Sequence, residues 1–215
     1  MEAFQEAIRQ GADGIEFDVR VSKDAELVIV HDPNLHRVAG DAHLVTELTA
    51  DELGRISLRF GGNIPTLHDV TSSVSAPKIL DMEIKHRAAI EPLISKLRTS
   101  AGLRERTIVS SFHASAILRT RRELPEIRTL FLIKNWPLPL RGSRFWTRLE
   151  RLKPWGVALP LSILTKRRVA FLRSHGVQVG AWDTRGTIRE ARKARALQID
   201  LAIVQRVKEV KIPLV

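Results

Sequence analysis

Residues 14–21 read G-I-E-F-D-V-R-V and are followed at 27–32 by L-V-I-V-H-D. Side chains two apart on a strand share a face, so this alternation predicts a strand with Glu16, Asp18 and Arg20 on one side and Ile15, Phe17, Val19 and Val21 on the other. One such segment is ordinarily an amphipathic strand with its polar face in water. The pattern recurs, however, in K-I-L-D-M-E-I-K at 78–85, where Asp81, Glu83 and Lys85 alternate with Leu80, Met82 and Ile84. In a barrel, one strand face meets outer helices and the other meets the lumen. Three strand ends would then deliver carboxylates, the His31 imidazole and the Lys85 ammonium to one mouth.

The rest of the chain supports that architecture. Runs rich in Val, Ile and Leu at 14–21, 27–32, 78–85, 107–112, 127–133, 156–161, 177–183 and 199–205 predict strands, with helical spacing at 88–98, 114–124, 143–152, 165–175 and 187–197 between most of them. Alternation of this kind argues for a parallel α/β sheet. No G-x-G-x-x-G follows a strand, which disfavours a dinucleotide-binding sheet. A TIM (β/α)8-type barrel over 1–215, one domain without an internal linker, fits better. Counting 27–32 as an extra strand leaves seven barrel strands where eight close the ring. The chain opens inside a helix, residues 2–10, that nothing precedes to cap, so the first strand is the one predicted to be lacking.

Concentrated carboxylates repel unless a cation or proton compensates them. The sequence has no cysteine, so a thiolate metal site is excluded, and the all-oxygen set Glu16, Asp18 and Glu83 suits Mg²⁺ or Ca²⁺. Lys85 can hold an anion and His31 can move a proton near neutral pH. Together these point to metal-assisted chemistry on a phosphate ester. The formal charge of +11 is uneven: residues 1–100 carry −5 and residues 101–215 carry +16. That asymmetry favours an anionic partner. No apolar run is long enough to span a bilayer and the start lacks signal-peptide zones, so the chain reads as cytoplasmic, peripheral membrane attachment and an extracytoplasmic place being left open.

Several stretches, in order, resemble the glycerophosphodiester phosphodiesterase family, whose fold is similar to that of the phosphoinositide-specific phospholipases C. They are A-F-Q-E-A-I-R-Q-G-A-D-G-I-E-F-D-V (3–19), S-K-D-A-E-L-V-I-V-H-D-P-N-L-H-R (22–37), I-P-T-L-H-D-V (64–70), M-E-I-K (82–85), S-S-F (110–112) and G-V-Q-V-G-A-W (176–182). The resemblance implies a TIM barrel that hydrolyses glycerophosphodiesters to glycerol 3-phosphate and an alcohol with a divalent ion. It implies that Glu16, Asp18 and Glu83 bind the metal, His31 and Lys85 are catalytic, and Lys85 and Trp182 bind substrate. Asp32 falls on the family's His-Asp pair. The substrate is then a glycerophosphodiester or a lysophospholipid, which share the scissile bond.

This sequence also departs from the family. The family's opening strand ends in His-Arg-Gly, and its next loop carries Pro-Glu-Asn; both would precede residue 1. The expectation is an N-terminally truncated barrel: either the native protein begins earlier and carries the first strand, or the chain is complete and catalytically impaired. Near the end, W-D-T-R (182–185) and V-Q-R-V (204–207) replace Trp-Thr-Val-Asn and Thr-Asp-x-Pro. The open ring would expose strand edges through which an oligomer could form. The alternative function is a non-catalytic anion- or metal-binding barrel module acting at a membrane surface or with a partner. Residues 141–155, with Trp146 and Trp155 among Arg144, Arg148, Arg151 and Lys153, could rest on an anionic bilayer, although Phe145, Leu149 and Leu152 form a stripe suited to packing. No nucleic-acid partner is expected, because the basic charge lacks a reading motif. Of the other histidines, His36, His43, His68 and His86 read as surface groups. His175 reads as a helix-end cap, and His113 as a group beside the site.

Overall fold

The computed structural model describes residues 1–136 and 144–207. Eight strands form one sheet: β1 (Gly14–Val21), β2 (Leu27–Ile29), β3 (Ile79–Ile84), β4 (Thr107–Ser111), β5 (Arg128–Leu132), β6 (Gly156–Pro160), β7 (Gln178–Thr184) and β8 (Leu201–Val204). Their order is β2-β1-β3-β4-β5-β6-β7-β8. β2 runs antiparallel to β1 and every other pair is parallel. Pairing each barrel strand with its successor is the barrel rule, and the seven parallel strands are those the sequence predicts. The extra strand is shorter than 27–32 because its last residues turn out to form the rim that carries His31. Among the described residues β8 pairs with β7 alone, so the curled sheet does not close onto β1.

Ten α-helices accompany the sheet among the described residues. They are α1 (Glu2–Arg9), α2 (His36–Ala39), α3 (Ala50–Arg55), α4 (Leu67–Ser73), α5 (Ile90–Thr99), α6 (Ala101–Glu105), α7 (Ala114–Glu123), α8 (Arg144–Leu152), α9 (Lys166–Ser174) and α10 (Ile188–Ala196). None is long and apolar enough to cross a membrane. The outer core follows the alternation of β1: Ile15, Phe17, Val19 and Val21 pack with Leu80, Met82 and Ile84 of β3 and with Leu93, Ile94 and Leu97 of α5. Phe4 of α1 meets Phe17 with ring centroids 6.0 Å apart. A second cluster joins Leu149 and Leu152 of α8 to Val157, Val169, Leu172 and Val179.

The lumen has its own apolar floor, formed by Ile108, Leu130, Leu132 and Ala158 with Trp155 and Trp182 against them. Trp155 therefore is not a surface anchor for a bilayer; it packs inward, with the Arg128 guanidinium 5.8 Å from its ring centroid. Leu149 and Leu152 pack as expected, whereas the side chains of Phe145 and Trp146 lie outside the described residues. The segment between β2 and β3, which reads as merely polar, holds α2, α3 and α4 and a satellite core of Val28, Val30, Leu35, Val45, Leu53 and Ile64. Thr49 and Thr66 accept hydrogen bonds from the backbone N–H of Glu52 and Asp69, closing capping boxes that start α3 and α4.

Candidate active site

Parallel pairing sets Asp18 beside Glu83 and Glu16 beside Asp81, so the polar faces of β1 and β3 coincide. One carboxylate oxygen from each of Glu16, Asp18 and Glu83 lies within 4.8 Å of the others. Lys85 Nζ stands 2.6 Å from Glu83 Oε1 and 3.1 Å from Asp18 Oδ1, and its side chain is only 16% exposed. The contact with Glu83 is an ion pair without hydrogen-bond geometry: Glu83 Oε1 is buried and has no hydrogen-bond partner, as are both oxygens of Asp81 one layer below.

Burial, and then the charges of Asp18, Asp81 and Glu83, push the Glu16 carboxyl up from 4.5 to about 9. Burial raises Asp81 from 3.8 to about 7; the adjacent Ser110 hydroxyl opposes this, although its oxygen reaches no hydrogen-bond geometry. Glu83 is raised by burial as well. Burial works against the Lys85 ammonium, but Glu83 and Asp18 outweigh it and hold its pKa above the ordinary value. Lys85 alone thus leaves the carboxylates short of positive charge. Three convergent oxygen donors with an unsatisfied buried oxygen among them fit a hard divalent cation.

His31 and Asp32 follow β2 at the rim. Asp32 Oδ1 is 2.6 Å from His31 Nδ1, and Arg37 Nε donates to Asp32 Oδ2. The Arg37 hydrogen bond, with that of His31, holds the Asp32 carboxyl down at about 2. A carboxylate that stays ionised fixes the Nδ1–H tautomer and leaves Nε2 available. The His31 side chain is 58% exposed and borders the cavity. Arg20, on the polar face of β1, donates through Nε (3.0 Å) and a terminal nitrogen (2.7 Å) to the His31 carbonyl, which fixes the backbone that carries the imidazole.

At the end of β4, Ser111 Oγ donates to the Ile84 carbonyl at 2.8 Å, and His113 Nε2 lies 3.3 Å from the Lys85 carbonyl. These two side chains hold the terminus of β3 where its ladder ends, and so hold Lys85. The position of His113 beside the site matches the sequence reading. His36, His43, His68 and His86 are exposed, and His175 ends α9 with Nδ1 2.9 Å from the Phe171 carbonyl.

A cavity of about 940 Å³ opens over the strand C-termini and is bordered by Glu16, Asp18, Glu83, Lys85, His31 and Trp182. All six side chains picked from the sequence therefore meet in one place. Trp182 Nε1 donates to the carbonyls of Ile133 (3.3 Å) and Ala158 (3.2 Å), and its ring stands edge-on to Phe112 at 5.4 Å. The register slips between Ala181 and Thr184, with Asp183 at φ 55° in the left-handed region, so the strand bends where Trp182 enters the cavity. Sequence reasoning missed Phe112 as a wall, Asp81 as a buried neighbour and Lys134, which reaches the cavity from the end of β5. Asp81 lay in plain view in the alternation of β3. Lys134 carried only the signal of a charge at a strand's C-terminal end.

Fold and site together define an α/β barrel with carboxylates and a lysine gathered at the C-terminal ends of its strands. A solved glycerophosphodiester phosphodiesterase from Thermotoga maritima superposes with a TM-score of 0.78 at 29% identity, covering 96% of this chain and 88% of that one. A phosphodiesterase from Oleispira antarctica, solved with sn-glycerol-3-phosphate, shares the fold with a TM-score of 0.83 at 23% identity, covering 97% and 87%. The glycerophosphoryl diester phosphodiesterase family model matches residues 1–209, and the chain belongs to that family. A curated glycerophosphodiester phosphodiesterase from Caldanaerobacter subterraneus is 30% identical over 160 residues, 66% of either chain. One from Bacillus altitudinis is 31% identical over 145 residues, 61% of this chain and 59% of that one. The alignments thus span under two thirds of the length of these relatives.

Proposed function

We propose that residues 1–215 act as one barrel unit that hydrolyses glycerophosphodiesters to glycerol 3-phosphate and an alcohol, with a divalent cation held by Glu16, Asp18 and Glu83. The observation that carries this reading is the convergence of those three carboxylates within 4.8 Å beside Lys85, in a cavity that His31 also borders. The family, and the phosphodiester chemistry that its relatives' names state, supports it.

When bound, the cation would supply positive charge against the phosphoryl oxygens, and Mg²⁺ and Ca²⁺ both suit the oxygen donors. Lys85 balances the carboxylates from within the cluster and presents its ammonium to the phosphate. His31 carries the proton: with Nδ1 tied to Asp32, its Nε2 gives a proton to, or takes one from, an ester oxygen or water. Trp182 and Phe112 wall the cavity with apolar surface against which a glycerol or alkyl segment can lie. A human relative named lysophospholipase D, 23% identical over 235 residues and covering 98% of this chain and 74% of that one, keeps lysophospholipids within the substrate class.

The test is calorimetric titration of Mg²⁺ and Ca²⁺ beside product analysis on glycerophosphodiesters. Cation binding with release of glycerol 3-phosphate supports the reading. Cation binding without hydrolysis supports the non-catalytic module.

A further inference from the structure

Three basic side chains border the cavity: Arg20, Lys85 and Lys134. Two of them are engaged. Arg20 donates both contacts to the His31 carbonyl, and Lys85 is clasped by Asp18 and Glu83. Lys134, exposed at the end of β5, has neither a carboxylate nor a hydrogen-bond partner among the described residues. Its Nζ stands 5.3 Å from the centroid of Phe112, the ring that Lys85 Nζ approaches at 5.8 Å. A cation over an aromatic face is oriented without being neutralised.

The two ammonium groups therefore converge on one ring from β3 and β5, with β4 between them. Their charges differ in effect. That of Lys85 is offset by two carboxylates at ion-pair distance, and Glu16 adds a third acid to that side. The acids lie on the β1–β3 side, and of the three cations Lys134, on the β5 side, is the one held by neither a carboxylate nor a hydrogen bond among the described residues. Trp182, tied to the carbonyls of Ile133 and Ala158, closes the wall beside it.

The geometry points to Lys134 as a second substrate-binding cation, which takes phosphoryl oxygens from the β5 side of the cavity while Phe112 holds its ammonium in place. This rests on the reading of the cavity as a phosphodiester site and names the group that attracts the anion there. The monoester product carries more charge than the diester, so glycerol 3-phosphate is the sharper probe.

The experiment compares the wild-type protein with Lys134→Gln and Lys134→Arg. Calorimetry gives Kd for glycerol 3-phosphate and for inorganic phosphate, with Mg²⁺ and in its absence, and steady-state kinetics give KM and kcat for a glycerophosphodiester. Losing one charge-assisted contact should raise Kd and KM by about tenfold in Lys134→Gln, with kcat within about twofold, and Lys134→Arg should restore most of the affinity. Unchanged Kd and KM in Lys134→Gln overturn the inference, as does a wild-type protein that binds neither phosphate probe. If Lys134→Gln loses phosphate binding but the wild type hydrolyses no glycerophosphodiester, the anion site stands and the proposed function falls. If hydrolysis proceeds and Lys134→Gln leaves KM untouched, the function stands and this inference falls. Lys134 is exposed, so equal melting temperatures for the variants will show that folding is not at issue.

Discussion

His31 and Glu16 show how much of the chemistry individual side chains carry. His31 has its tautomer set by Asp32, which Arg37 in turn holds, so removing the imidazole and disturbing its support should differ in degree. His31→Ala is expected to lower kcat by about 10²–10⁴, and Asp32→Asn to lower it by a smaller factor, with KM little changed in either; kinetics on a glycerophosphodiester check both. For Glu16 and Asp81 the expected readout is stability. Both carboxyls are raised in the fold, from 4.5 to about 9 and from 3.8 to about 7, so the native state holds more protons than the unfolded state between those values. Stability of the metal-free protein should therefore fall as pH rises through that window, reaching its low end near pH 9. A divalent cation should raise the melting temperature more at pH 8.5 than at pH 6, because the carboxyls must ionise to bind it. Melting curves with EDTA and with Mg²⁺ at both pH values test this, and Glu16→Gln should flatten the pH dependence. These residues were legible from spacing, since i, i+2 alternation alone puts Glu16 with Asp18 and Asp81 with Glu83 on shared faces. The missed Lys134 lies beyond its strand and has no such alternating partner, and only the pairing of β5 with β4 brings it to Phe112.

Among the elements, strands are the best read and the β2–β3 segment the worst. Strand boundaries follow from runs of β-branched and apolar residues, whereas α2, α3 and α4 are short and their apolar residues form a small satellite core rather than a repeated stripe. The capping boxes T-A-D-E at 49–52 and T-L-H-D at 66–69 were the available signal. Thr49→Ala should cost about 1 kcal/mol by loss of its cap, measured by urea unfolding. The pairing of β1 with β3 depends on a missing side chain: a Cβ on Gly14 would stand 2.4 Å from the Ile79 carbonyl oxygen, and neither backbone can yield without moving the carboxylates above. Gly14→Ala is expected to destabilise by about 1–3 kcal/mol and to weaken divalent-cation binding, because the shift lies in the two strands that carry all three ligands.

At the scale of the whole molecule, the acidic side of the cavity comes from β1 and β3, whereas Lys134 enters from the end of β5, in the half of the sequence that carries +16 against −5. Composition made that division visible, but not that it falls across one cavity, which is a property of the barrel. An anionic substrate should be steered toward this mouth, so kcat/KM should fall severalfold as salt rises from about 0.01 to 0.15 M and the screening length shrinks from about 30 to 8 Å. The most direct measurement for the account is product analysis of the purified protein incubated with a glycerophosphodiester and Mg²⁺ or Ca²⁺. The prediction is equimolar glycerol 3-phosphate and free alcohol, stopped by EDTA and by Glu83→Gln. Absence of glycerol 3-phosphate, or release that persists undiminished in Glu83→Gln, would contradict it.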